Sequence, residues 1–194
     1  GGALYGFLKG TSSFLIGDKA EKASIVVAYN NAINGGAFYL SSSTGSKHSL
    51  STTTNNIGSI NNLIKFNKAS YGGAFYFNNI NAQINNINIF NNYANQGGAI
   101  FLAEDTELIL DNVNIMFNGF GKGNKGAYYN IPANIGGGIY ISPNSYLTME
   151  KSVNIKSNYM YWGGGIFNDV NPDNPIRIKA IDKSSIDIKD NHNY

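Results

Sequence analysis

Eight aspartates, two histidines and a cluster of aromatic residues are among the side chains of this sequence that could do chemistry. A glycan hydrolase or lyase needs two acids, or an acid with Lys or Arg, converging on one face. Asp18, Asp105, Asp111, Asp169, Asp173, Asp182, Asp187 and Asp190 are instead scattered, and the last three sit where solvated turns are expected. His48 lies in a Ser/Thr-rich stretch and His192 near the final residue, neither with a partner in sequence. Asp169-Val170-Asn171-Pro172-Asp173 opens like a calcium loop, but Asn174 stands where glycine is needed and Ala180 where the bidentate acid belongs. Gly121-Lys122-Gly123-Asn124-Lys125-Gly126 matches a dinucleotide fingerprint, yet no helical pattern comes after it. These readings predict no catalytic set, no metal site and no cofactor.

What remains is recognition. Tyr128, Tyr129, Tyr161 and Trp162 are the predicted ligand- or partner-binding residues, because exposed rings stack on sugars or on apolar side chains of a partner. Their placement depends on a repeat. Glycine runs leading into an apolar and then an aromatic residue recur at Gly1, Gly35, Gly72, Gly97, Gly136 and Gly163. An aliphatic residue, two variable ones and an asparagine precede each internal run, ending at Asn30, Asn67, Asn92, Asn118 and Asn158, and once more at Asn191. The step from asparagine to glycine is constant except after Asn118, where residues 119–135 form an inserted loop. Inserted loops carry function more often than the scaffold they leave, which singles out Tyr128 and Tyr129. A second polar stretch, 41–59, reads as a Ser/Thr-rich loop bulging from one coil.

Self-similarity at this period, with apolar residues alternating in short runs and no helical spacing, predicts an all-β chain. The expected fold is a right-handed, single-stranded parallel β-helix of about six coils, filling 1–194 as one domain. The residue after Gly-Gly-Ala (Leu4, Phe38, Phe75, Ile100, Ile139, Ile166) is expected to point inward. Tyr5, Tyr39, Tyr76, Phe101, Tyr140 and Phe167 are then expected to point outward, one above another, with the alanines on that same outer face. The recurrent asparagines are expected to form a buried ladder at one corner. Both ends fall inside the repeat, so the chain is expected to be part of a longer stack, flanked by coils of its parent chain or by neighbouring subunits.

The paired motifs resemble the repeat of chlamydial-type polymorphic outer-membrane proteins, with Val27 or isoleucine where those repeats carry phenylalanine. They are similar also to adhesin-like β-helix proteins of AT-rich archaea and bacteria. The resemblance implies a surface-displayed or secreted adhesive module, placed outside the cell, with surface glycans or host proteins as partners. The alternatives are a carbohydrate-active β-helix or a fibre or coat subunit. The net charge of +2 comes with Arg177 as the sole arginine and no basic stripe, which argues against nucleic acid. No apolar run is long enough for a transmembrane segment, and no cysteine is present to form a disulfide framework.

Overall fold

The computed structural model describes residues 1–8, 13–15, 25–42, 49–52, 62–119, 135–169, 178–182 and 185–193. Among them there is no α-helix, and every strand pairing is parallel. One sheet stacks six strands in chain order: β1 (Leu4–Leu8), β4 (Phe38–Ser42), β7 (Phe75–Asn78), β9 (Ile100–Leu102), β11 (Ile139–Ile141) and β15 (Ile166–Asn168). Its register pairs Leu4 with Phe38, Phe38 with Phe75, Phe75 with Ile100, Ile100 with Ile139, and Ile139 with Ile166.

A second sheet holds two strand columns. The first contains β2 (Ser13–Leu15), β5 (Ser49–Thr52), the start of β8 (Asn81–Phe90), the start of β10 (Glu107–Met116), β12 (Tyr146–Met149) and β16 (Ile178–Ala180). The other contains β3 (Val26–Ala28), β6 (Asn62–Lys65), the later halves of β8 and β10, β13 (Val153–Lys156) and β17 (Ile186–Lys189). A small sheet pairs β14 (Tyr159–Met160) with β18 (His192–Asn193). Within the polar stretch 41–59, Ser41 and Ser42 end β4 and Ser49–Thr52 is a strand in register with Asn81–Ile84; the rest lies outside the described residues.

The bends between columns use left-handed backbone, and they recur in register. Asn79, Asp105 and Asn144 have positive φ between the first sheet and the second, and Asn86, Asn112 and Ser152 between the two columns of the second. A left-handed residue resets which face the next side chain takes. Ile84 and Ile87, or Leu110 and Val113, are therefore all buried despite a spacing that strict alternation forbids. The glycine pairs divide their labour. The first glycine has positive φ at Gly35, Gly72, Gly97, Gly136 and Gly163. The second allows close approach: a Cβ on Gly73 would collide with the carbonyl oxygen of Gly98 and lie 2.7 Å from the Tyr93 nitrogen.

The core is a set of like-on-like columns. Phe38, Phe75, Ile100 and Ile139 are buried as expected, with Leu40, Phe77, Leu102 and Ile141 beside them. Phe38 and Phe75 stack inside at 5.1 Å between centroids. Each such side chain removed from water is worth about 1.5–3 kcal/mol. The alanines depart from the expectation. Ala37, Ala74 and Ala99 are fully buried in this same core rather than lying on the outer face. The reason is a local bulge. Ala37 and Phe38 both donate their N–H to the Ala74 oxygen (3.0 and 2.9 Å), and Ala74 and Phe75 both donate to Ala99 (2.8 and 3.0 Å). Two donors on one acceptor interrupt the alternation just before the strand begins.

Candidate functional site

The side chains of Asn67, Asn92, Asn118 and Asn158 are wholly inaccessible to water, at 0% exposure. Each ladder asparagine hands one amide proton to the next repeat: Asn30 to Asn67 at 2.9 Å, Asn67 to Asn92 at 2.9 Å, Asn92 to Asn118 at 3.0 Å, Asn118 to Asn158 at 3.0 Å and Asn158 to Asn191 at 3.0 Å. The partners are 37, 25, 26, 40 and 33 residues apart in sequence, so the ladder holds its geometry while repeat length varies. The same oxygen also accepts the backbone N–H of the preceding rung, as from Asn92 to Asn118 at 3.0 Å. The ladder therefore consumes its own polar groups. It is a support, with nothing left over to bind a ligand.

The outer face of the six-stranded sheet carries the expected aromatic column. Tyr5, Tyr39, Tyr76, Phe101, Tyr140 and Phe167 succeed one another at centroid distances of 4.8, 5.0, 5.1, 4.6 and 5.6 Å, with planes within 3–9° of parallel. Parallel stacking along the axis turns the faces of every interior ring towards its neighbours and leaves only edges outward. Sugar stacking needs a free face. The interior of the column thus has no platform for a pyranose. Its exposure also changes along its length: Tyr5 is 65% exposed, whereas Phe101 and Tyr140 retain 8% and 6% and pack with Ala103 and Ile135. The Tyr140 hydroxyl donates to the Asp169 carboxylate at 2.7 Å. Burial, together with that bond and the charge of Asp169, holds the phenol well above its ordinary pKa. Burial also raises Tyr76, reinforced by Tyr39, Tyr71 and Glu104.

Tyr161 and Trp162 are different. They are 56% and 57% exposed and meet edge to face, with centroids 5.6 Å apart and planes 64° apart. A T-shaped pair leaves ring face open to solvent. Trp162 bridges to Ile135 in the coil before it, and Gly119 bridges to Tyr159, so both ends of the insertion enter the stack beside this pair. Tyr128 and Tyr129 lie outside the described residues. Nearby, Tyr159 stacks on His192 at 5.1 Å.

Among the described residues the acids do not gather into a group of three. Asp105 sits exposed on a left-handed turn, and Asp169 accepts the hydrogen bond from Tyr140. Asp187 contacts Lys156 at 2.7 Å and Lys189 at 3.0 Å. Bonds from Lys156 and then Lys189 lower its pKa, and Asp187 raises that of Lys189. Asp18, Asp173, His48 and the glycine-rich segment 121–126 fall outside the described residues. Among the described residues no three His, Asp or Glu side chains lie together as a metal site would require.

Sequence reasoning missed a second asparagine row. Asn114 donates to Asn88 at 2.7 Å and Asn154 to Asn114 at 2.7 Å on the outer side of the β6–β17 column. Its signal is present as Ile87-Asn88-Ile89, Val113-Asn114-Ile115 and Val153-Asn154-Ile155. It missed too the exposed Val26, Tyr29, Ile33 and Phe117, and Lys65, which lies 5.7 Å from the ring centres of both Phe66 and Phe90. No protein-family profile, curated protein or solved structure matches the chain.

Proposed function

We propose that the chain is a non-enzymatic adhesive or structural module, built as a closed right-handed parallel β-helix of about six coils. In this reading it belongs to a surface-displayed or secreted protein, and its contacts are surface glycans or partner proteins met at Tyr161 and Trp162. Right-handed closure follows from the handedness that twisted parallel strands impose on their crossover connections. The observation that carries the reading is how the polar and aromatic residues are spent. They form stripes that bond along the stack, and Tyr161 and Trp162 are two neighbouring exposed rings that meet edge to face. A carbohydrate-active enzyme would instead need its acids brought into one groove.

The test is a comparison of wild type with a Tyr161→Ala/Trp162→Ala double variant on glycan arrays and on immobilised cell-surface protein, with polysaccharide breakdown monitored in parallel. Wild-type binding that the double variant loses, with unchanged circular dichroism and no breakdown, supports the proposal. Depolymerisation of any glycan, or binding that survives the double change, refutes it.

A further inference from the structure

Asn118 stands apart from the rest of its ladder because its next residue is a glycine. The ladder asparagines are succeeded in turn by Asn31, Lys68, Tyr93, Gly119, Tyr159 and His192. An Asn-Gly pair is the dipeptide most prone to lose its side-chain nitrogen, since glycine puts no side chain in the way of its own backbone nitrogen. Here the glycine is compelled. Gly119 has φ of +89°, and a Cβ there would collide with the Tyr159 carbonyl oxygen and lie 3.0 Å from its carbon. The exit of the chain into the 119–135 insertion thus places a labile pair inside the buried ladder.

The folded state disarms it. The Asn118 side chain is engaged at both ends: its two amide protons are shared among Ile89 O at 2.9 Å, Met116 O at 3.0 Å and Asn158 Oδ1 at 3.0 Å, and its oxygen accepts from Asn92 N and Nδ2, both at 3.0 Å. The attacking atom is engaged as well, because Gly119 N donates to Asn92 O at 2.9 Å. Cyclisation needs that nitrogen deprotonated and the Asn118 side-chain carbon swung onto it, so all of these bonds must open first.

We propose that Asn118–Gly119 is a latent deamidation site, closed while the coil is folded and opened by unfolding, whose modification bars the chain from refolding. The Gly119 nitrogen bonds to Asn118 Cγ, and the bond from Cγ to Nδ2 breaks. Ammonia leaves with the proton lost from Gly119, and water opens the cyclic imide to aspartate or isoaspartate. No oxidant or reductant takes part. The product cannot re-enter the ladder. A carboxylate oxygen in place of Nδ2 would face the oxygens of Ile89, Met116 and Asn158, three acceptors with no proton between them. Isoaspartate would also lengthen the backbone at a position where the register is shared by adjacent coils.

Asn34–Gly35 is the internal control. It has the same chemistry, but Asn34 is half-buried and lies outside the ladder, although Gly35 N donates to Tyr71 O at 2.9 Å. The whole chain is incubated in mildly alkaline buffer, native and in denaturant, and both sites are tracked by peptide mass mapping. In denaturant the two sites convert at similar rates. In native protein Asn118 slows by about a hundredfold or more, and by more than Asn34 does. Conversion of Asn118 in native protein at its denatured rate overturns the proposal. Refolding is tested separately with Asn118→Asp and Asn34→Asp chains. Recovery of the strand spectrum by Asn34→Asp but not by Asn118→Asp supports the bar to refolding, and recovery by both refutes it.

Discussion

Replacing Asn92 by alanine removes one rung from the interior of the ladder, and the structure permits its cost to be worked out. Asn92 is fully buried, and its two amide protons are shared among Ile64 O at 2.9 Å, Phe90 O at 3.1 Å and Asn118 Oδ1 at 3.0 Å. It accepts from the Asn67 backbone N–H at 3.0 Å and from Asn67 Nδ2 at 2.9 Å. After truncation Asn67 Nδ2 still has Val27 O and Lys65 O, and Asn118 Oδ1 still has the Asn92 backbone N–H. The donor left stranded is the Asn67 N–H, while Ile64 O and Phe90 O each lose one donor. One buried donor without a partner costs about 1–3 kcal/mol. The space vacated by the amide adds to that, so about 3 kcal/mol is expected in all. For a chain of this size that lowers Tm by about 6–12 °C. Asn30→Ala is the matched comparison, since Asn30 is only half-buried, and it should cost about 1 kcal/mol. Thermal melts monitored by circular dichroism decide the matter. An Asn92→Ala chain that melts with wild type, or no lower than Asn30→Ala, would show that the ladder contributes nothing and that the reasoning fails.

Gly73→Ala is expected to prevent stacking of the adjoining coils, because the new methyl meets the backbone of Gly98 and Tyr93, neither of which can rotate away; a native strand spectrum at wild-type Tm would contradict this. Tyr140→Phe keeps the ring in its column but deletes the bond to Asp169. Since the folded phenol titrates above the unfolded value of about 10, the unfolded chain loses its proton first, and this group's stabilising contribution is complete below about pH 10 and lost above it. Denaturant melts of Tyr140→Phe should therefore show a shallower loss of stability in strong alkali than wild type. Trp162 is the sole tryptophan, so its fluorescence reports one place: native emission should be solvent-like and readily quenched by acrylamide, and a quench-resistant, blue-shifted native signal would contradict the exposed geometry.

The repeat was legible because its two strongest constraints leave few residue choices. Gly35 and its equivalents must take positive φ, Gly36 and its equivalents must let two backbones touch, and Asn92 must donate and accept at once. The bends were not legible. Tyr29, Phe66 and Phe117 hold positive φ just before their ladder asparagines, a conformation that bulky residues disfavour, and the rung behind them keeps them there. The inward turn of Ala74 was hidden for a similar reason, since it comes from a shared carbonyl rather than from residue type. At the candidate site, ring identity was readable and ring orientation was not. Tyr39 and Trp162 look alike in composition, but Tyr39 has both faces covered by Tyr5 and Tyr76 while Trp162 meets its neighbour edge-on.

In every rung of the asparagine ladder the amide nitrogen gives to the later coil and the amide oxygen receives from the earlier one. The side-chain dipoles of the ladder therefore add instead of cancelling, and the ladder has a sense of direction like that of a compass needle, opposite to that of the outer row of Asn88, Asn114 and Asn154. A coil meeting Asn30 must arrive with a donor foremost, and one meeting Asn191 must arrive with an acceptor. Two such stacks brought together oxygen to oxygen would repel. The ladder thereby admits one orientation of stacking, set by a single atom pair per repeat.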